Sequence, residues 1–310
     1  MNEKVFRIGS PDGLALPLQQ AYAEALAGGR AFRLVLPALS YVPFHVSLGS
    51  IGGEAIDLTV EGEGEKPVTL QGVSMSLCGR NVTMTNLSLR GTRTPASALT
   101  VQVMDSFEGR GLGFIGISRH DAMSNEPIVQ VPALGPRDRN ASAALRDCWF
   151  LGNEGEGFTA VLSTPRTGRA FIQRLLIERC AFLGNRTDAG IDPWFTRTLE
   201  IDGVFVLEND VDAWLRLRSP LVNVSLSDSV LSSTGELVEF LSGPDVARAD
   251  FPPIATNRCR LLSAAAVSPE GFSGTGNSYC PAVSGFDWRD AIALTECPPD
   301  REELEALFLK

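Results

Sequence analysis

Apolar and polar residues alternate along the chain in a nine-residue pattern that returns every 24 to 32 residues. The pattern is clearest in Leu145 to Asn153 (LRDCWFLGN) and Ile177 to Asn185 (IERCAFLGN), and Ile201 to Asn209 (IDGVFVLEN) has the same columns. Weaker copies are Met84 to Thr92, Leu226 to Thr234 and Thr256 to Ala264. The copies at 84 and 145 are 61 residues apart, the length of two repeats with an insertion. Such a period predicts that one structural unit stacks on the next.

Within each copy, positions one, four and six are mostly apolar, and positions two and three are mostly polar. The apolar columns are Leu145, Ile177, Ile201 and Leu226; Cys148, Cys180, Val204, Ser229 and Cys259; and Phe150, Phe182, Val206, Leu231 and Leu261. We expect these columns to face the interior, and the polar positions to face solvent from the same short strand. Short recurring strands suit a coil of stacked strands better than a sandwich of hairpins. The predicted fold is therefore all-β, a right-handed single-stranded parallel β-helix, or solenoid.

The two ends of the chain depart from the repeat. Apolar residues between Leu14 and Ala27 lie on one helical face, and Gly28 and Gly29 follow, so this segment is predicted to form a helix that caps the first coil. Asp300 to Lys310 (DREELEALFLK) is predicted to form a short amphipathic helix at the other end. The predicted organisation is one domain, with an N-terminal capping segment at 1–30, the β-helix at 31–274, and a C-terminal tail and cap at 275–310.

Two further columns carry polar or reactive side chains, and we interpret both as structural. The last column, Asn153, Asn185 and Asn209, falls at a turn, where side-chain amides can hydrogen-bond along the stack and satisfy backbone groups. Cys148 and Cys180 occupy an inward column, where a thiol packs as a small apolar group.

A second sequence feature that indicates the fold precedes the repeat, in the segment LQQAYAEALAGGRAFRLVLPALSY (Leu18 to Tyr41). Together with the repeat, this segment resembles the opening of the pectin-lyase-like right-handed β-helix superfamily, in which a helix, a Gly turn, a first strand and a Pro-containing loop end in Tyr. The resemblance implies a β-helix and, for most members, activity on sugars. The sequence departs from the family at Pro37 to Ser40, where a Pro-Gly pair is usual, and the catalytic motifs of its polygalacturonases, alginate epimerases and pectate lyases are not intact.

The connections between strands differ in length, and the differences predict a cleft. Long connections at Arg119 to Ala144 and Ser242 to Ala255 stand on either side of shorter ones. Insertions at one corner of a stacked chain lie along one side, so the long loops would flank a cleft over the short ones. The candidate catalytic residues there are His120, Glu200, Asp202, Arg216 and Arg218, and the candidate substrate-binding residues are Arg119, Glu178, Arg179, Trp194, Arg197 and Trp214.

Two chemistries fit such a cleft, and a structural interpretation competes with both. A polyuronide lyase or epimerase needs cations that neutralise a carboxylate and a group that removes the neighbouring proton, which suits the arginines and His120. A hydrolase needs two carboxylates, and Glu200 with Asp202 on one strand face is the nearest pair. In the alternative, the charged residues form a solvated ladder between strands, and Trp194 and Trp214 pack at a corner.

Composition narrows the list of partners. The chain has 310 residues, 44% of them hydrophobic, and a formal charge of −10, so we expect neither a nucleic-acid partner nor attraction to an anionic membrane. No apolar run is long enough to span a membrane and no signal peptide is visible. We therefore expect a cytoplasmic protein, or a secreted one if a leader was removed or export is non-classical.

No cofactor is expected, and Ca²⁺ is the one metal that the acidic turn residues would suit: Glu154, Glu156, Asp188, Asp210 and Asp212. The first function hypothesis is a β-helix whose cleft binds a glycan or a protein partner without catalysis. The second is an enzyme acting on an acidic polysaccharide, with a lyase or epimerase favoured over a hydrolase. The third is a structural component that self-assembles as a homo-oligomer.

Overall fold

The computed structural model describes residues 3–9, 15–41, 43–49, 55–91, 97–119, 127–135, 140–155, 159–165, 170–219, 222–241, 251–263, 272–275 and 277–281. This part of the chain is nearly all β, with parallel strands, and contains the helix α1 (Ala15–Ala27). The strands of the first half are β1 (Glu3–Arg7), β2 (Ala31–Leu36), β3 (His45–Leu48), β4 (Leu58–Gly62), β5 (Val68–Gln71), β6 (Ser74–Arg90), β7 (Leu99–Ile115), β8 (Ser118–Arg119), β9 (Val129–Gln130), β10 (Asn140–Arg146), β11 (Trp149–Leu151), β12 (Glu154–Gly155) and β13 (Ala160–Ser163). Those of the second half are β14 (Phe171–Glu178), β15 (Ala181–Leu183), β16 (Arg186–Asp192), β17 (Thr196–Asp202), β18 (Phe205–Leu217), β19 (Asn223–Ser227), β20 (Val230–Ser233), β21 (Glu236–Phe240), β22 (Ile254–Asn257), β23 (Arg260–Ser263), β24 (Phe272–Thr275) and β25 (Ser278–Pro281).

Strands from successive repeats pair in register and form three stacks. Stack 1 contains β1, β2, β4, the centres of β6 and β7, β10, β14, β17, β19, β22 and β24. Stack 2 contains β5, the ends of β6 and β7, β11, β15, the start of β18, β20, β23 and β25. Stack 3 contains β3, the starts of β6 and β7, β9, β13, β16, the second half of β18, and β21. Through the central repeats, the chain therefore passes through stacks 1, 2 and 3 in turn before it returns to stack 1.

The pairing register confirms the repeat that the sequence predicts. The residues at position one are direct partners in stack 1: Leu145 with Ile177, Ile177 with Ile201, and Ile201 with Leu226. The long interval between the copies at 84 and 145 contains one further layer, because Met84 and Leu145 both pair with Gly109. A Cβ at Gly109 would lie 2.8 Å from the side chains of Leu112 and Leu145, so this layer lacks the aliphatic residue that marks the other copies.

Aromatic rings fill the interior of the central layers. The rings of Phe114, Phe150 and Phe182 stack face to face, with centroids 4.9 and 4.5 Å apart. Cys148 and Cys180 are fully buried beside this column, and burial raises the pKa of the Cys180 thiol well above its ordinary value. The column of positions four and six is therefore interior, as predicted, and its thiols act as packing groups.

Asn153, Asn185 and Asn209 form a buried ladder at the turn that follows stack 2. The Nδ2 of Asn153 donates to Oδ1 of Asn185 at 2.9 Å, and the Nδ2 of Asn185 donates to Oδ1 of Asn209 at 2.7 Å. Each of the three amides also donates to a phenylalanine carbonyl of the preceding layer. These bonds satisfy buried polar groups across the layers, which confirms the structural role predicted for this column.

Position three of the repeat differs from its prediction. It does not face solvent from the strand that carries position two, but forms a left-handed bend between stacks 1 and 2. The residues there, with φ between 48° and 61°, are Asn86, Gly111, Asp147, Arg179, Gly203, Asp228 and Arg258. Asparagine, aspartate and glycine tolerate this conformation. Each of the two arginines donates Nε to the aspartate at the same position in the preceding layer, Arg179 to Asp147 at 2.7 Å and Arg258 to Asp228 at 2.5 Å.

The N-terminal helix forms where the sequence predicts it. Its residues Leu18 and Tyr22 are buried, and the Tyr22 ring meets the Phe32 ring of β2 edge-on at 5.5 Å. The loop after β2 is closed by the Tyr41 hydroxyl, which donates to the Pro37 carbonyl at 2.7 Å, and burial raises the pKa of Tyr41 to about 12. Within the described ranges, no helix has the length and apolar character that a membrane crossing requires.

At the other end, strand pairing continues beyond residue 274, where the β-helix was predicted to end. The strands β22 and β24 pair in stack 1, and β23 and β25 pair in stack 2 as far as Pro281. The predicted C-terminal helix, Asp300 to Lys310, lies outside the described residues.

Candidate functional site

The loop that was predicted to form one wall of the cleft is not a single loop. Between Arg119 and Ala144 the chain contains β9, which pairs with β7 and β13 in stack 3, and the start of β10, which pairs with β7 and β14 in stack 1. Arg119 itself belongs to β8 and pairs with Gly155. His120 lies outside the described residues, as do residues 166–169 and 242–250 of the other two connections.

Apart from Trp214, the remaining predicted site residues fall into two groups. Those in or directly after the strands of stack 1 are Glu178, Arg179, Glu200 and Asp202. Those at the corner where stack 3 leads into stack 1 are Trp194, Arg197, Arg216 and Arg218. The two groups have different surroundings, and the cleft predicted from loop lengths stays a prediction because large parts of its long loops lie outside the described residues.

On stack 1, charged side chains pair with neighbours in adjacent layers. Glu178 accepts a hydrogen bond from Arg146 at 2.8 Å, and it also pairs with Arg179. Glu200 accepts two hydrogen bonds from Arg174, at 2.8 and 2.6 Å, and this arginine lowers the pKa of the glutamate. These contacts match the charge-ladder interpretation of the group.

The two carboxylates that were predicted for hydrolysis, Glu200 and Asp202, both accept hydrogen bonds from neighbouring side chains. Ser227 donates its hydroxyl to Asp202 at 2.6 Å, and Glu200 is held ionised by Arg174. A general acid needs a raised pKa in order to carry a proton at neutral pH. Glu200 has the opposite shift, so the structure does not favour it as a proton donor.

Trp214 was predicted to bind substrate, and this prediction is wrong. Its side chain is fully buried in the interior, where its ring meets the Phe182 ring edge-on with centroids 6.3 Å apart. Gly190, in the neighbouring strand, leaves the room for this ring, because a Cβ there would lie 2.7 Å from the indole. A ligand at the surface therefore cannot contact Trp214.

The corner between stacks 3 and 1 is built by a turn. The strand β16 ends at Asp192, and Thr196 donates its backbone N–H to the Pro193 carbonyl at 3.2 Å, which places Trp194 and Phe195 at the apex of a four-residue turn. Proline suits this position because its φ is fixed and it needs no hydrogen-bond acceptor. Trp194 is 41% exposed as a consequence.

Three aromatic rings and two guanidinium groups meet at this turn. The rings of Phe171 and Phe195, from adjacent layers, stack with centroids 4.5 Å apart, and the Trp194 ring stands nearly perpendicular to that of Phe195. The Arg197 guanidinium lies 5.1 Å from the Phe171 centroid, and that of Arg218 lies 5.1 Å from the Trp194 centroid. Cations over aromatic faces are attracted by the ring quadrupole. We call Phe171, Asp192, Trp194, Phe195, Arg197 and Arg218 the corner site.

Asp192 ends the strand before this turn and is almost fully buried. Its Oδ2 accepts a hydrogen bond from Nε of Arg218 at 2.7 Å, while its Oδ1 is buried and has no hydrogen-bond partner among the described residues. Burial raises the pKa of the Asp192 carboxyl, and the Arg218 cation opposes this effect. The corner site therefore contains a carboxyl group that is protonated more readily than an ordinary aspartate.

Arg216, a candidate catalytic residue, lies next to the corner site and is buried. Its Nε donates to Glu239 at 2.5 Å, and its Nη2 donates to the Asp188 carbonyl at 3.3 Å. Burial, and secondly the nearby Asp212 carboxylate, raises the pKa of Asp188. Only 3% of the Arg216 side chain is exposed. Its guanidinium therefore binds neighbouring groups of stack 3 and is not accessible to a ligand at the surface.

Phe171, Phe195 and Asp192 were not identified as site residues from the sequence. For the two phenylalanines, the repeat contains the information that was needed. Phe171 and Phe195 each lie six residues before position one of their copies, Ile177 and Ile201. Extending the columns upstream would therefore have predicted that the two rings are neighbours. The burial of Asp192 leaves no comparable signal, because it depends on the turn at Pro193 and on Arg218.

The described residues contain no group of three or more His, Cys, Asp or Glu side chains that could hold a metal ion. The acidic edge that was predicted to suit Ca²⁺ includes an arginine: Arg186 is the strand partner of both Glu154 and Asp210, and its Nε lies 3.3 Å from Oδ2 of Asp210. Binding of Ca²⁺ stays a prediction.

The chain matches no family model, and neither a curated protein nor a solved structure matches it. Its function must therefore be inferred from the residues of the corner site and their chemistry.

Proposed function

We propose that the chain is a right-handed parallel β-helix of the pectin-lyase-like superfamily, and that its corner site binds an acidic polysaccharide without cleaving it. Parallel pairing of successive repeats in three alternating stacks supports the fold, as do the asparagine and phenylalanine columns that cross the layers. The resemblance of Leu18 to Tyr41 to the family's opening segment supports the superfamily.

The exposed ring of Trp194 is the observation that carries the binding proposal. It stands at the apex of a turn, and its orientation is fixed by Phe195 on one side and by Arg218 over one face. An aromatic ring presents a flat apolar surface on which the C–H face of a sugar can stack. Because the ring is held in place, little side-chain entropy is lost when a sugar binds.

The arginines of the corner site favour a sugar that carries carboxylates. Arg197 is exposed, and no carboxylate of a described residue lies within salt-bridge distance of it. Its guanidinium can therefore form a bidentate contact with a uronate. The net charge of −10 opposes a polyanion at long range, but salt screens this repulsion over about 8 Å at physiological ionic strength, so local cations govern the contact.

A glycan fits this corner better than a protein partner does. Specific protein interfaces bury about 800 Å² on each partner and have an apolar centre. Among the described residues, the large apolar side chains with high exposure are Val5, Leu16, Leu39 and Trp194, and only the last belongs to the corner site. One exposed indole beside arginines is enough for a sugar ring but too small for such an interface.

Isothermal titration with trigalacturonate and a neutral trisaccharide tests the proposal. We expect the wild-type protein to bind the acidic sugar more tightly, and the variants Trp194→Ala and Arg197→Ala to lose at least about tenfold in affinity. Leu39→Ala removes an exposed apolar side chain and Arg186→Ala an exposed arginine away from this corner, so they serve as matched controls. Equal affinities for all four variants would contradict binding at the corner site.

Asp192 favours a second candidate function, an enzyme that acts on the same acidic polysaccharide. A buried carboxyl group with a raised pKa is the type of group that donates a proton to a leaving oxygen. Mass spectrometry of oligosaccharides after incubation with the protein separates the two functions. Shortened or unsaturated products that disappear in Asp192→Asn would support the enzyme, and intact substrates that still bind support the non-catalytic proposal.

A further inference from the structure

A second pair of arginines lines a cavity in the N-terminal layers, beside the end of α1. The cavity has a volume of about 490 Å³ and is lined by Gly28, Gly29, Arg30, Ala31, Ile56, Asp57 and Arg80. This volume lies in the range of about 300 to 1,000 Å³ that is usual for small-molecule sites. The cavity shares no residue with the corner site, so it is a separate feature of the molecule.

The strand register explains why two arginines face one cavity. Phe32, Leu58 and Val82 are direct partners in three successive layers of stack 1. Arg30, Ile56 and Arg80 each lie two residues earlier, so they occupy equivalent positions in those layers. The backbone of the two arginines is therefore separated by two strand spacings, about 10 Å, which long side chains can bridge to reach one anion.

Both arginine side chains are exposed and lie at the wall of the cavity. The Arg30 side chain crosses Gly28, where an added Cβ would lie 3.0 Å from its Nε. The Nη2 of Arg80 donates to the Ala55 carbonyl at 3.3 Å. Within the part of the chain that the structure describes, no carboxylate lies within 4.0 Å of either guanidinium, so both charges are available to an anion from solution.

An acceptor stands beside these two cations. Oδ1 of Asp57 accepts a hydrogen bond from Asn81 at 2.9 Å, and Asn81 in turn accepts one from the Ser106 hydroxyl at 2.6 Å. These two hydrogen bonds orient the carboxylate of Asp57 at the cavity, where it can accept further hydrogen bonds from hydroxyl groups. The cavity thus combines donors for an oxyanion with an acceptor for hydroxyls.

We propose that this cavity binds a small hydroxylated molecule that carries an oxyanion, with Arg30 and Arg80 on the anion and Asp57 on a hydroxyl. The oxyanion is a phosphate or a carboxylate, because a guanidinium recognises both with the same paired donors. A neutral sugar leaves both arginines without a partner and binds more weakly, and an anion without hydroxyls offers Asp57 no hydrogen-bond donor to offset the like charge.

Isothermal titration with glucose 6-phosphate, glucuronate, glucose and inorganic phosphate tests this assignment. We expect glucose 6-phosphate or glucuronate to bind more tightly than glucose and inorganic phosphate. Arg30→Ala and Arg80→Ala should each weaken that binding by at least about tenfold. Arg110→Ala, which removes another exposed arginine, should change it by less than about twofold.

A comparison of the affinities for glucose 6-phosphate and glucuronate shows whether the cavity prefers a phosphate or a carboxylate. Because the corner site is also expected to bind a uronate, the glucuronate titrations are carried out in the Arg197→Ala variant, with and without Arg30→Ala, so that the difference between them reports this cavity. The assignment is wrong if neither charged sugar binds at millimolar concentrations, if glucose binds equally well, or if both arginine variants bind like the wild type. Thermal unfolding of each variant establishes that the comparison is made between folded proteins.

Discussion

The asparagine ladder provides the sharpest test of how the layers are held together. Asn185 is the middle member, and its side chain makes four hydrogen bonds: Nδ2 to the Phe150 carbonyl at 2.8 Å and to Asn209 at 2.7 Å, and Oδ1 from the backbone N–H and the side chain of Asn153 at 3.1 and 2.9 Å. Asn185→Ala removes all four bonds from a buried position. At about 1 kcal/mol for each bond, we expect the free energy of unfolding to fall by about 4 kcal/mol.

The matched control is Asn223→Ala, because Asn223 is an exposed strand residue in β19. Its substitution should change the free energy of unfolding by no more than about 0.5 kcal/mol. Equilibrium unfolding in guanidinium chloride, followed by far-ultraviolet circular dichroism, measures both values when the transition is reversible. If Asn185→Ala and Asn223→Ala have the same midpoint and slope, the ladder does not stabilise the fold as described.

Three further substitutions test other parts of the structure. Phe150→Ala removes the central ring of the interior stack and should lower the free energy of unfolding by about 3 to 5 kcal/mol in the same assay; a loss below about 1 kcal/mol would contradict the stack. Glu239→Ala removes the carboxylate that pairs with the buried Arg216 guanidinium and should lower the free energy of unfolding by about 3 kcal/mol. The double variant Arg216→Leu/Glu239→Leu should recover most of this loss, and a double variant as unstable as Glu239→Ala would contradict the pairing. Because the pKa of Asp192 is raised in the folded state, its contribution to stability is present below the ordinary aspartate pKa of 3.8 and is lost as pH rises through the raised value. Asp192→Asn should therefore gain stability relative to the wild type between acidic and neutral pH, and a parallel pair of pH profiles would contradict the assigned shift.

The repeat was predictable because each layer places the same residue types at the same interior positions. Leu145, Ile177 and Ile201 are strand partners in the alignment that their sequence similarity indicates. The layer at Gly109 could not be found this way, because neighbouring leucines occupy the space where an aliphatic side chain would stand. The left-handed bend at position three also escaped prediction, since arginine at such a φ is explained only by the aspartate that it pairs with in another layer.

The candidate site was less predictable, because its residues depend on how a short turn directs them. Trp194 and Trp214 both stand near charged residues in the sequence, but the turn after Pro193 exposes the first, and Gly190 admits the second to the interior. Glu200 was predicted to be a catalytic residue because it forms a carboxylate pair with Asp202 on one strand face. Its environment, in which Arg174 contributes two hydrogen bonds, follows from strand register and could not be derived from residue types alone.

The most direct test of glycan binding at the corner site is a crystal structure determined from crystals of the protein that have been soaked with trigalacturonate. We expect one uronate ring to stack on the exposed face of Trp194, with its carboxylate within hydrogen-bond distance of the Arg197 guanidinium. The same electron density would establish whether the strands wind as a right-handed β-helix. A sugar that binds on another face, or a corner site that stays empty at saturating ligand, would contradict the proposed function.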